Sequence, residues 1–193
     1  MIYRVAWVLV LAFLKIAAGF KIIGRENQVP SGPVIVVSNH VSNWDPLALG
    51  TALTRQVHFM AKDELFRNFL LAWLLRKLGV IPVKRGRTAK SAIVESLKVL
   101  KKGEVLGIFP EGTRNLTGEI LKPNAGAVML ALRARAPILP VALSGTREFR
   151  KMKAIIGKPI YLDQYYDEKL DKKQIDKISE DIMNNIRQLL KTA

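Results

Sequence analysis

The run Val34-Ile35-Val36-Val37 contains no polar residue, and it is bracketed by Pro30-Ser31-Gly32-Pro33 before and Ser38-Asn39-His40 after. Unbroken β-branched residues between turn formers read as a short strand buried inside a sheet. The same pattern recurs, so residues 57–61, 80–83, 105–109 and 138–143 are expected as further strands. Between them lie helical stretches at 46 to about 53, at 65–78 closed by Gly79, at 88–101 and at 126–135. In the 88–101 stretch Ala92, Ile93, Ser96, Leu97 and Leu100 share one face. Residues 155–160 suggest a late hairpin or edge strand, and Pro140 suggests an edge or a bend at its own strand. The tail from Lys172 is an amphipathic helix, with Ile175, Ile178, Ile182, Ile186 and Leu189 near helical spacing. Strands alternating with helices define an α/β domain: a single domain with a largely parallel or mixed central sheet flanked by helices.

A chain of 193 residues supports one sizeable core. It has no cysteine, which excludes a disulfide scaffold, a thiolate nucleophile and any cysteine-ligated metal. Its 31 Lys and Arg outweigh 16 Asp and Glu, for a net charge of +15. Such a surface attracts nucleic acid, anionic lipid headgroups or phosphorylated small molecules.

The N-terminus favours lipid among these. Residues 5–14 form an uninterrupted apolar run between Arg4 and Lys15, short of the about 20 residues a membrane span needs. We expect residues 1–20 to form a membrane-associating helix lying in one leaflet, with Trp7 and Phe13 as interfacial aromatics, and residues 21–193 to form the remaining domain. Three readings compete: a tilted span reaching Phe20 with Lys15 snorkelling, a secretory leader, since Ala17-Ala18-Gly19 looks like a cleavage site, and an ordinary core helix.

One of the two histidines, His40, follows the first strand, and Asp45 stands five residues on, just before Pro46. Asp-Pro is a helix-start signal by itself, with Asp as N-cap and Pro as first helical residue. On a regular helix the two side chains would diverge by about 140°. Across a strand–turn–helix corner they can meet, and such corners at strand carboxyl ends are where open α/β sheets hold ligands. An imidazole beside a substrate hydroxyl can take its proton, while a carboxylate on the other ring nitrogen fixes the tautomer. No enzyme nucleophile is then needed, in keeping with the absence of a G-x-S-x-G elbow. No metal site is expected: there is no H-E-x-x-H, and His58 reads as structural or surface.

Phe109-Pro110-Glu111-Gly112-Thr113-Arg114 also follows a strand and should emerge on the same edge as His40. Gly112 permits a tight turn from which Glu111 and Arg114 project. An arginine there suits phosphate, and a carboxylate suits a hydroxyl. Gly79-Val80-Ile81-Pro82-Val83-Lys84-Arg85 ends a strand in two cations.

Taken in order, N-H-V-S-N-W-D, G-V-I-P-V-K-R, F-P-E-G-T-R and I-L-P-V-A-L resemble the four motifs of the glycerolipid acyltransferase family, the 1-acylglycerol-3-phosphate O-acyltransferases in particular. The resemblance runs from about Gly24 to Pro159. It implies transfer of an acyl group from acyl-CoA or acyl-carrier protein, as co-substrate, to a glycerol hydroxyl, with no resident cofactor. It places His40 as general base and Asp45 as its orienter. Arg85, ending G-V-I-P-V-K-R, and Arg114, in the Gly112-Thr113-Arg114 turn, match phosphate-holding positions, Glu111 a glycerol contact and Lys62 a further phosphate contact. It further implies a membrane-associated enzyme with its site on the cytoplasmic side, partnered by an anionic lipid surface and a lysophospholipid acceptor. Glycerol-3-phosphate or another lyso-lipid is the alternative acceptor. Outside the enzyme class stands a non-catalytic basic membrane- or nucleic-acid-binding protein. Nucleic acid is not the expected partner, because the cationic stretch 84–102 has no aromatic residue for stacking.

Overall fold

The computed structural model describes residues 2–83, 89–115 and 121–192. In chain order its main elements are α1 (Ile2–Ala18), β1 (Lys21–Ile23), β2 (Val34–Ser38), α2 (Asp45–Ala52), β3 (Val57–Lys62), α3 (Phe69–Lys77), β4 (Ile81–Val83), α4 (Ala89–Lys101), β5 (Val105–Ile108), α5 (Gly126–Ala134), β6 (Ile138–Ser144), β7 (Lys153–Ile156) and α6 (Lys172–Lys191).

β2 is buried at every residue because helices cover both of its faces. Its alternating side chains divide between two cores. Ile35 and Val37 join the core under α4, α5 and α6, while Val34 and Val36 join the one under α1 and α2. The seven-stranded sheet has the order β1-β7-β6-β2-β5-β3-β4. Among the paired strands of the described residues only β6–β7 is antiparallel. The sheet is therefore mixed, with a parallel centre.

The connections create a crevice. From β2 the chain crosses to β3 through α2, whose Ala48, Leu49 and Ala52 lie in the α1/α2 core. From β5 it crosses to β6 through α5, whose Ala127, Val128, Leu130 and Ala131 lie in the opposite core. β2 and β5 are neighbours whose outgoing chains part to opposite faces, which opens a site at their carboxyl ends.

Several expectations are revised. The 65–78 stretch is not one helix. A 3-10 turn, Asp63–Phe66, comes first, and Asn68 then starts α3 by accepting a hydrogen bond from Leu71 N at 3.1 Å. Pro140 sits in an interior strand, at the point where pairing with β7 ends: Val141 pairs with Ile156, and Gly157 N donates to Pro140 O at 2.9 Å. The 155–160 segment is β7, which begins earlier, plus an isolated bridge from Ile160 to Ile138. β1 pairs parallel with β7 and has no counterpart in the sequence reading.

α1 is packed onto the domain through Leu11, Leu14 and Ala18. Trp7 is turned inward, contrary to its expected interfacial role, and its indole N–H donates to Leu53 O at 2.9 Å. The Tyr3 hydroxyl accepts from Val57 N at 3.3 Å. Phe13 meets Trp44 and Phe149 at ring-centroid distances of 6.0 and 5.8 Å. The other side of α1 carries Val5, Val8, Leu9, Phe13 and Ile16, all exposed and at helical spacing. With 17 residues α1 is about 26 Å long. Among the described residues no helix is long and apolar enough to cross a membrane.

Candidate active site

β2 delivers His40 to the crevice, and the corner into α2 brings Asp45 back under it. His40 Nδ1 lies 2.8 Å from Asp45 Oδ2. The same oxygen accepts the amide N–H groups of Val41 and Ser42, each at 2.7 Å. The carboxylate does not cap α2: the N-cap residue is Trp44, and no side chain caps that end. Asp45 turns its acceptor backwards onto the His40 corner, away from the helix it opens. An oxygen holding two amide donors acts as acceptor toward the ring as well, so Nδ1 carries a hydrogen, and in the neutral ring Nε2 then keeps its lone pair. Asp45 is fully buried, whereas the His40 side chain retains 17% exposure.

The ring is held from below. His40 stacks on Phe109 with centroids 4.2 Å apart and planes 20° apart. Phe109 in turn stacks on Phe59 at 6.0 Å and 11°. Phe59 fits only because position 107 is glycine; a β-carbon there would overlap its ring.

The backbone of His40 is held from the side. Its N–H donates to Glu111 Oε1 at 2.8 Å, and its carbonyl accepts from Asn115 N at 2.8 Å. The other Glu111 oxygen accepts from Leu121 N at 3.0 Å. Glu111 is only 6% exposed. It does not project from the turn, and its carboxylate joins three segments of backbone. Gly112 makes the turn at φ 69°, with its N–H on Phe109 O at 3.1 Å. Thr113 and Arg114 point to solvent at the tip. Arg114 Nη1 donates to Asn43 Oδ1 at 2.5 Å, which ties the turn to the His40 corner a third time.

Lys62 is exposed at the end of β3, on the same carboxyl edge, since β3 runs parallel to β5. Arg85 lies outside the described residues. His58 belongs to a different place: its Nδ1 is 2.9 Å from Gly79 O and its Nε2 is 3.2 Å from Glu104 Oε2. It is a structural residue, as its sequence context suggests. Among the described residues no group of three potential ligands could hold a metal.

Three asparagines escaped the sequence reading. Asn39 exchanges two hydrogen bonds of 2.9 Å with the backbone of Leu143, pinning β2 to β6 just before His40. Asn115 holds the His40 carbonyl, and Asn124 donates to Pro110 O through its backbone and side chain, at 2.8 and 3.0 Å. Asn39 stands in the N-H-V-S-N-W-D motif, but no local pattern marks the bonds these asparagines make, because every partner is distant in sequence. A cavity of about 250 Å³ lies on the α4/α5 side of the same strand ends, lined by Met60, Ile93, Ile108, Met129 and Leu130 among others.

Fold and site define an α/β protein with a histidine–aspartate pair at a sheet switch point. The family described as Acyltransferase matches residues 19–144. The chain belongs to that acyltransferase family, and it is an O-acyltransferase. It is 38% identical over 156 residues to the 1-acyl-sn-glycerol-3-phosphate acyltransferase of Bacillus subtilis, covering 77% of each chain. It is 37% identical over 153 residues to the enzyme of that name from Borreliella burgdorferi, covering 76% of this chain and 61% of that one. The 1-acyl-sn-glycerophosphate (LPA) acyltransferase of Thermotoga maritima shares the fold: TM-score 0.80 at 23% identity, over 98% of this chain and 79% of that one.

Proposed function

We propose that this chain transfers a fatty acyl group from acyl-CoA or acyl-carrier protein to the free hydroxyl of 1-acylglycerol-3-phosphate, giving phosphatidic acid. The observation that carries the reading is the 2.8 Å contact between His40 Nδ1 and Asp45 Oδ2, which in the neutral ring puts the hydrogen on Nδ1 and frees Nε2 to accept a proton. Nε2 takes the proton of the acceptor hydroxyl as that oxygen attacks the thioester carbonyl. The C–O bond forms, the C–S bond breaks, and the departing thiolate recovers the proton from His40. Asp45 stabilises the transient imidazolium. Every step uses protein side chains and the two substrates.

Arg114, exposed at the turn, meets the acceptor's phosphate, with Lys62 as a further cation on the same edge and Arg85 joining them through its place in the sequence motif. Glu111 supports this reading through the backbone it organises, with its carboxylate already committed to two amides. The apolar cavity beside β5 suits an acyl chain. The exposed stripe of α1 and the net charge of +15 suit seating of residues 1–20 on an anionic membrane, with the remainder, 21–193, as the catalytic domain. Its site then faces the cytoplasmic leaflet.

The test is acyl transfer from labelled acyl-CoA and acyl-carrier protein to a panel of lyso-acceptors, run beside His40→Ala. Preference for 1-acylglycerol-3-phosphate, with collapse of transfer in the variant, is the expected result. Equal use of unphosphorylated acceptors would remove the phosphate assignment, and full activity of His40→Ala would remove the mechanism.

A further inference from the structure

α3 is the least conventional helix in the chain. A crossover helix in an α/β fold buries a stripe against its sheet, yet α3 buries only Ala72. Phe69 is 80% exposed and Leu70 74%, and Leu71, Trp73 and Leu74 are exposed as well. At about 100° per residue these five positions span an arc of about 200° on the side away from Ala72, wider than the single stripe a packed helix presents. A partner protein docks on one stripe of a helix; only immersion in hydrocarbon satisfies apolar side chains pointing outward in several directions at once.

Charge supports the same occupant. Arg67 precedes α3 and Arg76 and Lys77 close it, all exposed, so cations stand at both ends of the apolar surface. They suit anionic headgroups above an inserted apolar segment. Trp73 adds an aromatic of the kind that settles at that boundary.

Topology agrees. The β3–α3–β4 connection advances along the sheet in the same direction as β2–α2–β3. Right-handed parallel crossovers therefore put α3 on the face that carries α2 and α1. The exposed stripe of α1 and the exposed girdle of α3 belong to one side of the molecule. The most exposed residues of α3, Phe69 and Leu70, lie in its first turn, which the chain enters from the carboxyl end of β3.

We propose that α3 inserts into an anionic bilayer as an element separate from α1, so that the protein is held at two points. The proposal concerns binding alone, and its readouts need no acyl transfer, so its failure and the failure of the enzymatic reading are distinguishable.

The chain has no cysteine, so a single introduced one is labelled uniquely. An environment-sensitive fluorophore is placed on Leu70→Cys in α3, Ile16→Cys in α1 or Lys173→Cys in α6. Each full-length variant is mixed with vesicles of phosphatidylcholine containing phosphatidylglycerol, or of phosphatidylcholine alone. The expected result is a blue shift and quenching by a lipid-borne quencher at position 70, stronger with phosphatidylglycerol, with the label at 173 unchanged. A label at 70 that stays in water while the label at 16 enters lipid would overturn the proposal. So would a shift at 70 that grows with protein concentration without vesicles, which would assign the face to a second copy of the chain. Leu70→Gln combined with Trp73→Gln should weaken vesicle partitioning about tenfold with the melting temperature retained. Unchanged partitioning would also overturn it.

Discussion

The two histidines occupy opposite edges of one sheet, and each has a carboxylate beside it. At the amino edge His58 spends both ring nitrogens, one against Gly79 O and one against Glu104. Nothing is left for a substrate, and the ring packs so tightly under Gly79 that a β-carbon there would come within 2.5 Å of it. At the carboxyl edge His40 spends one nitrogen on Asp45 and, among the described residues, keeps the other. The difference is not the presence of a partner. It is whether the local fold closes around both nitrogens or around one, and parallel strands decide that by leaving their crevice at the carboxyl edge.

The strongest way to break this comparison is to delete each ring. His40→Ala should lower acyl transfer by about 10²–10⁴-fold, the usual worth of a general base, without unfolding the chain. His58→Ala should keep the turnover of its folded fraction and lose about 1–2 kcal/mol of stability, read by chemical denaturation. Matched losses of turnover would erase the distinction. Asp45→Asn sharpens it further. The amide can offer Nδ1 a donor and so move the ring hydrogen to Nε2; we expect a loss on the order of 10²–10⁴-fold in kcat with little change in KM. Glu111→Gln tests whether the carboxylate works through the backbone. It should lower kcat by about tenfold for phosphorylated and unphosphorylated acceptors alike, because the His40 peptide loses its anchor. A loss confined to one acceptor class would return Glu111 to direct contact. Gly107→Ala should cost about 1–3 kcal/mol by pushing Phe59 out of the ring stack. The smallest effect lies at alkaline pH. Burial pushes the Tyr3 hydroxyl above its ordinary 10.0. The stability its neutral form contributes is complete below that value and is lost as pH rises through the raised one. Tyr3→Phe should flatten that alkaline loss in a thermal melt series.

Much of this was legible from residue order. The apolar strands announced themselves because burial on both faces removes polar residues and leaves β-branched runs. The α6 stripe was legible because one face of a long helix is buried, including Ile178, Ile182 and Ile186. His40 and Asp45 were legible as candidates, yet the choice between cap and orienter was not, since it depends on how the corner folds back. The role of Glu111 was hidden for a different reason. Its partners are backbone groups, one of them 71 residues away, and any sequence has those. α3 was legible as a helical stretch, but not its exposure, because composition and periodicity do not report what covers a face. Asn68 was a readable start signal that the long apolar run obscured.

The double hold on the His40 peptide, N–H to Glu111 and carbonyl to Asn115, has a consequence for the timing of a catalytic cycle. A turn that grips the His40 peptide on both sides cannot swing open as a gate without releasing His40. Departure of product then has to take place past a corner that stands still.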